Sequence, residues 1–136
     1  MVKSHIRYLE PDNLRDIMHD ESLKAGKDYV VVDVRDSDRI GGHILNSINV
    51  PAHEIKERAD LLVAQNQGIG KVIFHCALSQ VRGPKSARIY NDALNLTGNE
   101  NGQEVYVLRG GFTEFQRFYR DDAKLVDAFN KELWDL

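Results

Sequence analysis

The one cysteine of this chain, Cys76, is separated by five residues from Arg82. A thiolate can attack the central atom of a bound oxyanion, and a guanidinium can hold two of that oxyanion's oxygens at once. An apolar run at residues 72–74 precedes the cysteine and Gly83-Pro84 follows the arginine, so the pattern predicts a strand that enters and a helix that leaves. The N–H groups of the loop between them can converge on an anion at the helix N-terminus. The spacing therefore indicates cysteine-based phosphoryl-transfer chemistry.

The residues that follow the cysteine are predicted to bind the oxyanion through backbone N–H groups rather than through side chains. This oxyanion-binding loop comprises Ala77, Leu78, Ser79, Gln80, Val81 and Arg82. Two roles stay open for Ser79, whose hydroxyl could donate to the thiolate or bond the loop backbone as turn serines do. We expect His75 to be a buried histidine that supports the loop by hydrogen bonding. Gly83 is restricted by the proline after it and is expected to shape the exit of the loop.

Strands and helices alternate along the chain, which is typical of an α/β domain. Continuous apolar runs predict buried strands at residues 29–32, 72–74 and 105–108, and shorter strands are expected at 6–8 and 48–50. The spacing of apolar residues predicts helices at residues 13–19, 55–63, 84–94 and 112–119, and a last helix marked by Leu125, Phe129 and Leu133. We therefore predict a mainly parallel sheet, with the binding site at the carboxyl ends of its strands, where Cys76 falls.

Length and charge restrict the classes of protein that this chain can belong to. Its 136 residues predict a single domain, 1–136, and a net charge of -3 argues against a nucleic-acid binder. No apolar run approaches the roughly 20 residues of a membrane helix, and Met1–Arg7 lacks the apolar segment of a secretory signal. A lone cysteine indicates a reducing compartment, so we expect the protein in the cytoplasm, with the nucleus as an additional location. The sequence indicates no oligomeric state. We expect no cofactor. We also expect no metal, because His5, His19 and His53 do not have the spacing from Cys76 that metal ligands show.

Residues 75–84 have the form His-Cys-x-x-Ser-x-x-Arg-Gly-Pro. This segment resembles the active-site signature of the M-phase-inducer dual-specificity phosphatases and of the related fungal arsenate reductases. Residues 31–35, followed by 42–44 and 49–51, are similar to the first rhodanese homology motif, and residues 105–112 are similar to the second. Together these segments extend over most of the chain in the family's order. The resemblance is greatest to the small, single-domain fungal members.

Both groups of enzymes have the rhodanese fold. The resemblance therefore implies a single rhodanese-like domain with a mainly parallel five-stranded sheet and helices on both faces. It also implies that Cys76 is the nucleophile, that Arg82 clamps the transition state, and that the N–H groups of residues 77–82 form the oxyanion cradle. Sulfurtransferases of this fold typically have a shorter loop, whereas five residues between cysteine and arginine suit phosphate or arsenate. Polar residues of the first motif are expected to be structural, namely Asp33, Arg35 and His43.

Two features of this chain depart from the family pattern. Many M-phase inducers have a glutamate directly after the cysteine, proposed to act as an acid, and this chain has Ala77 there. The general acid is therefore unassigned, although a singly protonated phosphate could bring its own proton. Three carboxyl groups are candidates for the general acid, and the sequence does not favour one over the others: Asp36, Asp38 and Glu114. Relatives can protect the oxidised nucleophile with an internal disulfide, which a chain with one cysteine cannot form.

The leading interpretation is a phosphatase that forms a phosphocysteine on Cys76 and hydrolyses it with water. Its substrate would be a phosphate monoester, either a phosphotyrosine or dual-specificity site in a phosphoprotein or a small phosphate ester. The alternative is arsenate reduction, for which glutathione with glutaredoxin would supply the missing resolving thiol. Lys85 resembles the reductases slightly. A sulfurtransferase is disfavoured by the loop length, and a non-catalytic phospho-binding module by the presence of both Cys76 and Arg82.

Overall fold

A computed structural model describes residues 4–134, so both ends of the predicted domain 1–136 lie outside the described residues. The described strands are β1 (Ile6–Leu9), β2 (Tyr29–Asp33), β3 (His43–Ile44), β4 (Ile48–Asn49), β5 (Lys71–His75), β6 (Glu104–Leu108) and β7 (Val126–Asp127). Five of them form the central sheet in the order β1-β6-β5-β2-β4, and each neighbouring pair is parallel. The predicted five-stranded parallel sheet is confirmed, and β5 lies in its middle.

Helices cover both faces of the central sheet, as predicted. The α-helices are α1 (Pro11–His19), α2 (Ile55–Gln65), α3 (Arg82–Leu96), α4 (Gly111–Tyr119) and α5 (Lys131–Trp134). Helices α2 and α3 bury one face, which includes Val30 and Val32, while α1 and α4 bury the other, which includes Tyr29 and Val31. Strand β2 is a continuous apolar run because its successive residues point to opposite faces and both faces are buried. In residues 4–134, no helix is both long enough and apolar enough to cross a membrane.

The last predicted helix, marked by Leu125, Phe129 and Leu133, is wrong. Strand β7 lies in this segment and pairs antiparallel with β3, and only the four residues of α5 are helical. Ala128 has a φ of 54°, a left-handed conformation that is incompatible with a continuous α-helix. Leu125 is fully buried, Phe129 stacks on the Trp134 ring and Leu133 is exposed. The helical spacing of these three residues therefore arises from three separate environments rather than from one helix face.

Strands β2, β5 and β6 are neighbours, so the segments that follow them meet at the carboxyl edge of the sheet. Just beyond β2, the N–H of Val34 donates to the carbonyl oxygen of His75 at 2.9 Å. Beyond β6, the N–H of Phe112 donates to the carbonyl oxygen of Cys76 at 3.0 Å. Three segments that are far apart in the sequence thus surround the cysteine.

Candidate active site

Cys76 is the first residue after β5, and α3 begins at Arg82. The cysteine is buried, with 3% exposure, whereas Leu78 and Val81 are exposed at the rim of the loop. A small open depression of about 170 Å³ is lined by Cys76, Ala77, Leu78, Gln80, Val81 and Arg82. A larger cavity of about 280 Å³ lies near the ends of α2 and α3, but no residue of this loop lines it. The candidate site is therefore shallow, with the nucleophilic sulfur buried beneath an exposed rim.

Two backbone N–H groups donate to the sulfur of Cys76. The N–H of Ser79 lies 3.2 Å from Sγ and that of Gly83 lies 3.3 Å from it. Ser79 has a φ of 56°, a left-handed conformation that belongs to the tight turn of the loop around the sulfur. Its hydroxyl oxygen accepts from the N–H of Cys76 at 3.4 Å, which corresponds to the second of its two predicted roles, bonding within the loop backbone. Both donors to Sγ, and the N-terminus of α3, stabilise negative charge on the sulfur.

The N-terminus of α4 holds the opposite side of the same loop. The N–H groups of Phe112 and Thr113 donate to the carbonyl oxygens of Cys76 and Ala77 at 3.0 and 2.9 Å. Gly111 lies directly below these oxygens with a φ of 58°, and a Cβ there would be 2.5 Å from each of them. Only glycine fits this close approach. The Gly-Gly pair in the second motif was the sequence signal, but its contact with the loop was not predicted.

His75 is fully buried beneath the loop. Its Nδ1 lies 3.1 Å from the carbonyl oxygen of Cys76, and because that oxygen only accepts, Nδ1 carries the hydrogen. Its Nε2 lies 4.0 Å from a carboxylate oxygen of Asp33, and its ring stacks on Phe112 with centroids 6.4 Å apart. Burial is the main reason that the pKa of His75 is below its ordinary value, so the imidazole is neutral at pH 7.

Residues of the first motif lie behind the site and fix the segment after β2. Asp33 and Arg35 form a fully buried pair, with Nη2 of the arginine 2.8 Å from the carboxylate. The same Nη2 donates to the carbonyl oxygen of Gly42 at 2.9 Å, and the guanidinium lies over the Phe112 ring at 4.4 Å. Burial alone would raise the pKa of Asp33, but the charge and hydrogen bonds of Arg35 hold that pKa below its ordinary value. His43 lies 3.3 Å from Asp127, across the two-stranded sheet formed by β3 and β7.

The guanidinium of Arg82 faces a carboxylate from the segment after β2. Its Nη1 and Nη2 donate to Oδ1 and Oδ2 of Asp38 at 2.9 and 2.6 Å. The hydrogen bond from Arg82 is the main cause that lowers the pKa of Asp38, so this carboxyl stays ionised and is a poor proton donor at neutral pH. The other two carboxyl groups considered as the general acid have partners of their own. Asp36 accepts from the N–H of Ser37, and Glu114 lies 3.8 Å from Arg117. The contact between Asp38 and Arg82 was not predicted, because nothing local in the sequence indicates it.

Comparisons with known proteins agree with these motifs. A rhodanese-like domain matches residues 10–118. The CDC25-like phosphatase YCH1 of Saccharomyces cerevisiae is 33% identical, over 96% of this chain and 95% of the yeast protein. Arsenate reductase 2.2 of Oryza sativa subsp. japonica is 36% identical, over 72% of this chain and 77% of the rice protein. The structure of Ygr203w, a yeast protein tyrosine phosphatase of the rhodanese family, superposes with a TM-score of 0.77 at 31% identity, covering 95% of this chain and 96% of the yeast chain.

Proposed function

This chain belongs to the rhodanese-like domain family, and we propose that it is a cysteine-dependent phosphatase that hydrolyses phosphate monoesters at Cys76. The observation that carries this function is the position of the sulfur. It accepts hydrogen bonds from the N–H of Ser79 in the loop and from the N–H of Gly83 in the first turn of α3. Arg82, which follows the cysteine after five intervening residues, lines the same depression. This arrangement stabilises a thiolate and leaves room for a tetrahedral oxyanion above it.

The reaction has two displacement steps at phosphorus. In the first, Sγ of Cys76 attacks, the S–P bond forms and the ester P–O bond breaks, and the leaving alcohol or phenol takes up a proton from the singly protonated phosphate or from water. In the second, water attacks phosphorus, the S–P bond breaks, and inorganic phosphate leaves with the thiolate restored while the proton of the attacking water passes to the phosphate or to solvent. The loop N–H groups of residues 77–82 and the Arg82 guanidinium stabilise the charge on the phosphoryl oxygens in both steps.

A protein substrate fits the open shape of the site. The depression is small, and its rim carries the exposed side chains Leu78 and Val81. A phosphorylated side chain that protrudes from a protein surface can reach the sulfur, since no deep walls have to enclose the rest of the substrate. The proposed partner is therefore a phosphoprotein. The proposed location is the cytoplasm, because its reducing environment fits a chain with a single cysteine.

Hydrolysis of para-nitrophenyl phosphate from pH 5 to 8 tests this function. The wild-type chain should turn over, and Cys76→Ser should lose all measurable turnover because a hydroxyl is a far weaker nucleophile than a thiolate. Arg82→Lys should lose most of the activity, since an ammonium lacks the planar fork that binds two oxygens. Circular dichroism should give the same spectrum for all three proteins. Turnover retained in folded Cys76→Ser would refute the mechanism.

Arsenate reduction is the second candidate, and the 36% identity with a rice arsenate reductase is the observation that favours it. Arsenate has nearly the shape of phosphate and fits the same loop. Its two-electron reduction to arsenite would oxidise two thiols, Cys76 and glutathione, to a mixed disulfide that glutaredoxin then reduces. Arsenate-dependent oxidation of NADPH in the presence of glutathione, glutaredoxin and glutathione reductase measures this activity, with Cys76→Ser as the control.

A further inference from the structure

The ion pair between Arg82 and Asp38 uses only part of the guanidinium. A guanidinium has five N–H donors, arranged as an end formed by Nη1 and Nη2 and a side edge formed by Nε and one Nη. Asp38 binds the end, with contacts at 2.9 and 2.6 Å. Nε takes no part in this pair, so the side edge keeps two parallel N–H groups. That edge can bind two oxygens of an oxyanion while Asp38 stays in place.

Asp38 is itself fixed to the centre of the fold. Its Oδ1 accepts from the N–H of Asp36 at 3.1 Å, and its carbonyl oxygen accepts from Nη1 of Arg35 at 3.3 Å. Arg35 is fully buried against Asp33 at the end of β2. The backbone of Asp38 is therefore tied to a buried ion pair through Arg35, and its carboxylate, which is 40% exposed, is held by the N–H of Asp36.

We propose that Asp38 is a positioning residue for phosphoryl transfer, which holds Arg82 by its end so that the side edge of the guanidinium binds the oxyanion above Cys76. Arg82 and Cys76 line the same depression, which places both beside the substrate. Arginine has a long side chain with several rotatable bonds, and fixing it beforehand removes the loss of freedom that the transition state would otherwise require. This inference rests on the proposed phosphatase function.

A second arrangement of the same pair would have the opposite effect. If Asp38 occupied the position of the substrate oxyanion, it would compete with phosphate and removing it would strengthen binding. The end-on contact and the two anchors of Asp38 favour positioning over competition. The two arrangements therefore predict changes of opposite sign in oxyanion affinity.

Steady-state hydrolysis of para-nitrophenyl phosphate measures the contribution of Asp38 to turnover. Asp38→Asn should lower kcat by about tenfold to a hundredfold and change KM by no more than about twofold, because the contact is realised in the transition state. Asp38→Ala, which removes both oxygens, should have the same effect. Asp92→Asn is the matched control, since it removes an exposed carboxylate ten residues beyond Arg82 on α3 and should leave kcat within about twofold of wild type. All variants should melt at the wild-type temperature.

A double-mutant cycle shows whether Asp38 acts through Arg82. In the Arg82→Lys background, Asp38→Asn should cause no further loss of kcat, because the guanidinium that it positions is gone. A merely structural effect of the substitution would instead add to that of Arg82→Lys. Full additivity in this cycle would overturn the proposal, as would unchanged kcat in folded Asp38→Asn.

Binding of orthovanadate, measured by calorimetry, separates this proposal from the proposed function. Asp38→Asn should weaken vanadate binding by about tenfold, which corresponds to one misplaced charged contact. Equal or tighter binding by the variant, or no vanadate binding by the wild-type chain, would overturn the positioning role. Absence of hydrolysis by a wild-type chain that binds vanadate would refute the phosphatase function alone, and the vanadate comparison would still decide the role of Asp38.

Discussion

Replacing Gly111 with alanine tests whether the N-terminus of α4 fixes the catalytic loop. A Cβ at this position lies 2.5 Å from the carbonyl oxygens of Cys76 and Ala77, whereas ordinary contact begins at 3.4 Å, so helix and loop must separate by about 0.9 Å. A displacement of about 1 Å at a catalytic group costs about a hundredfold in rate. We therefore expect kcat for para-nitrophenyl phosphate to fall by about a hundredfold in Gly111→Ala.

The same substitution should lower the free energy of unfolding. Alanine at a φ of 58° costs about 1–2 kcal/mol. Weakening the hydrogen bonds that Phe112 and Thr113 donate to the loop adds about 1 kcal/mol each. Urea denaturation should therefore give a loss of about 3–4 kcal/mol relative to wild type.

A second left-handed glycine provides a matched control. Gly102 has a φ of 67°, so alanine is strained there as well, but its Cβ would meet no heavy atom of the described residues within 4 Å. Gly102→Ala should lose about 1–2 kcal/mol of stability and keep kcat within about twofold of wild type. Wild-type kcat in Gly111→Ala, or an equal loss of kcat in both variants, would refute the reasoning.

Three further predictions concern the stability of the protein in acid, a buried hydrogen bond, and the effect of the leaving group on kcat/KM. A hydrogen bond from Lys71 is the main cause that lowers the pKa of Glu104 to about 2. Because this folded-state pKa lies below the ordinary value of 4.5, Glu104 stabilises the protein above that pH and its contribution is lost as the pH falls towards 2. In urea titrations, Glu104→Gln should thus cost about 1 kcal/mol at pH 7 and nothing near pH 2. Tyr90→Phe removes the donor to the buried Oε1 of Gln103 and should cost about 1–2 kcal/mol in the same assay, with unchanged kcat. Since neither Ala77 nor an ionised Asp38 can protonate a leaving group, kcat/KM should be at least about a hundredfold higher for para-nitrophenyl phosphate than for phosphoserine.

Each of these predictions has a result that would contradict it. An equal cost of Glu104→Gln at pH 7 and near pH 2 would show that the stabilisation does not come from the ionised carboxylate of Glu104. A fall in kcat for Tyr90→Phe would show that the buried hydrogen bond from the middle of α3 is coupled to the active site. Similar kcat/KM values for the aryl and alkyl esters would require a proton donor at the loop.

The reactive loop could be predicted because its parts are contiguous in the sequence. The apolar residues of β5, the loop and Pro84 in the first turn of α3 follow one another, and each has a local preference for its conformation. The parallel sheet could be predicted for a related reason, since strands buried on both faces must be continuously apolar. The segment from Leu125 to Leu133 misled the same reasoning, because three apolar residues in separate environments, one of them exposed, happened to have helical spacing.

The sequence by itself determined the nucleophile, its arginine and the strand–loop–helix unit that joins them. Only the tertiary structure decided what surrounds that unit. Asp38 lies 44 positions before Arg82, and Gly111 lies on another helix, so neither contact has a local pattern. Both depend on the order of β2, β5 and β6 in the sheet, which brings three chain segments to one edge. Strand order results from the packing of the whole core, and for that reason the contacts of Asp38 and Gly111 with the loop could not be predicted from the sequence.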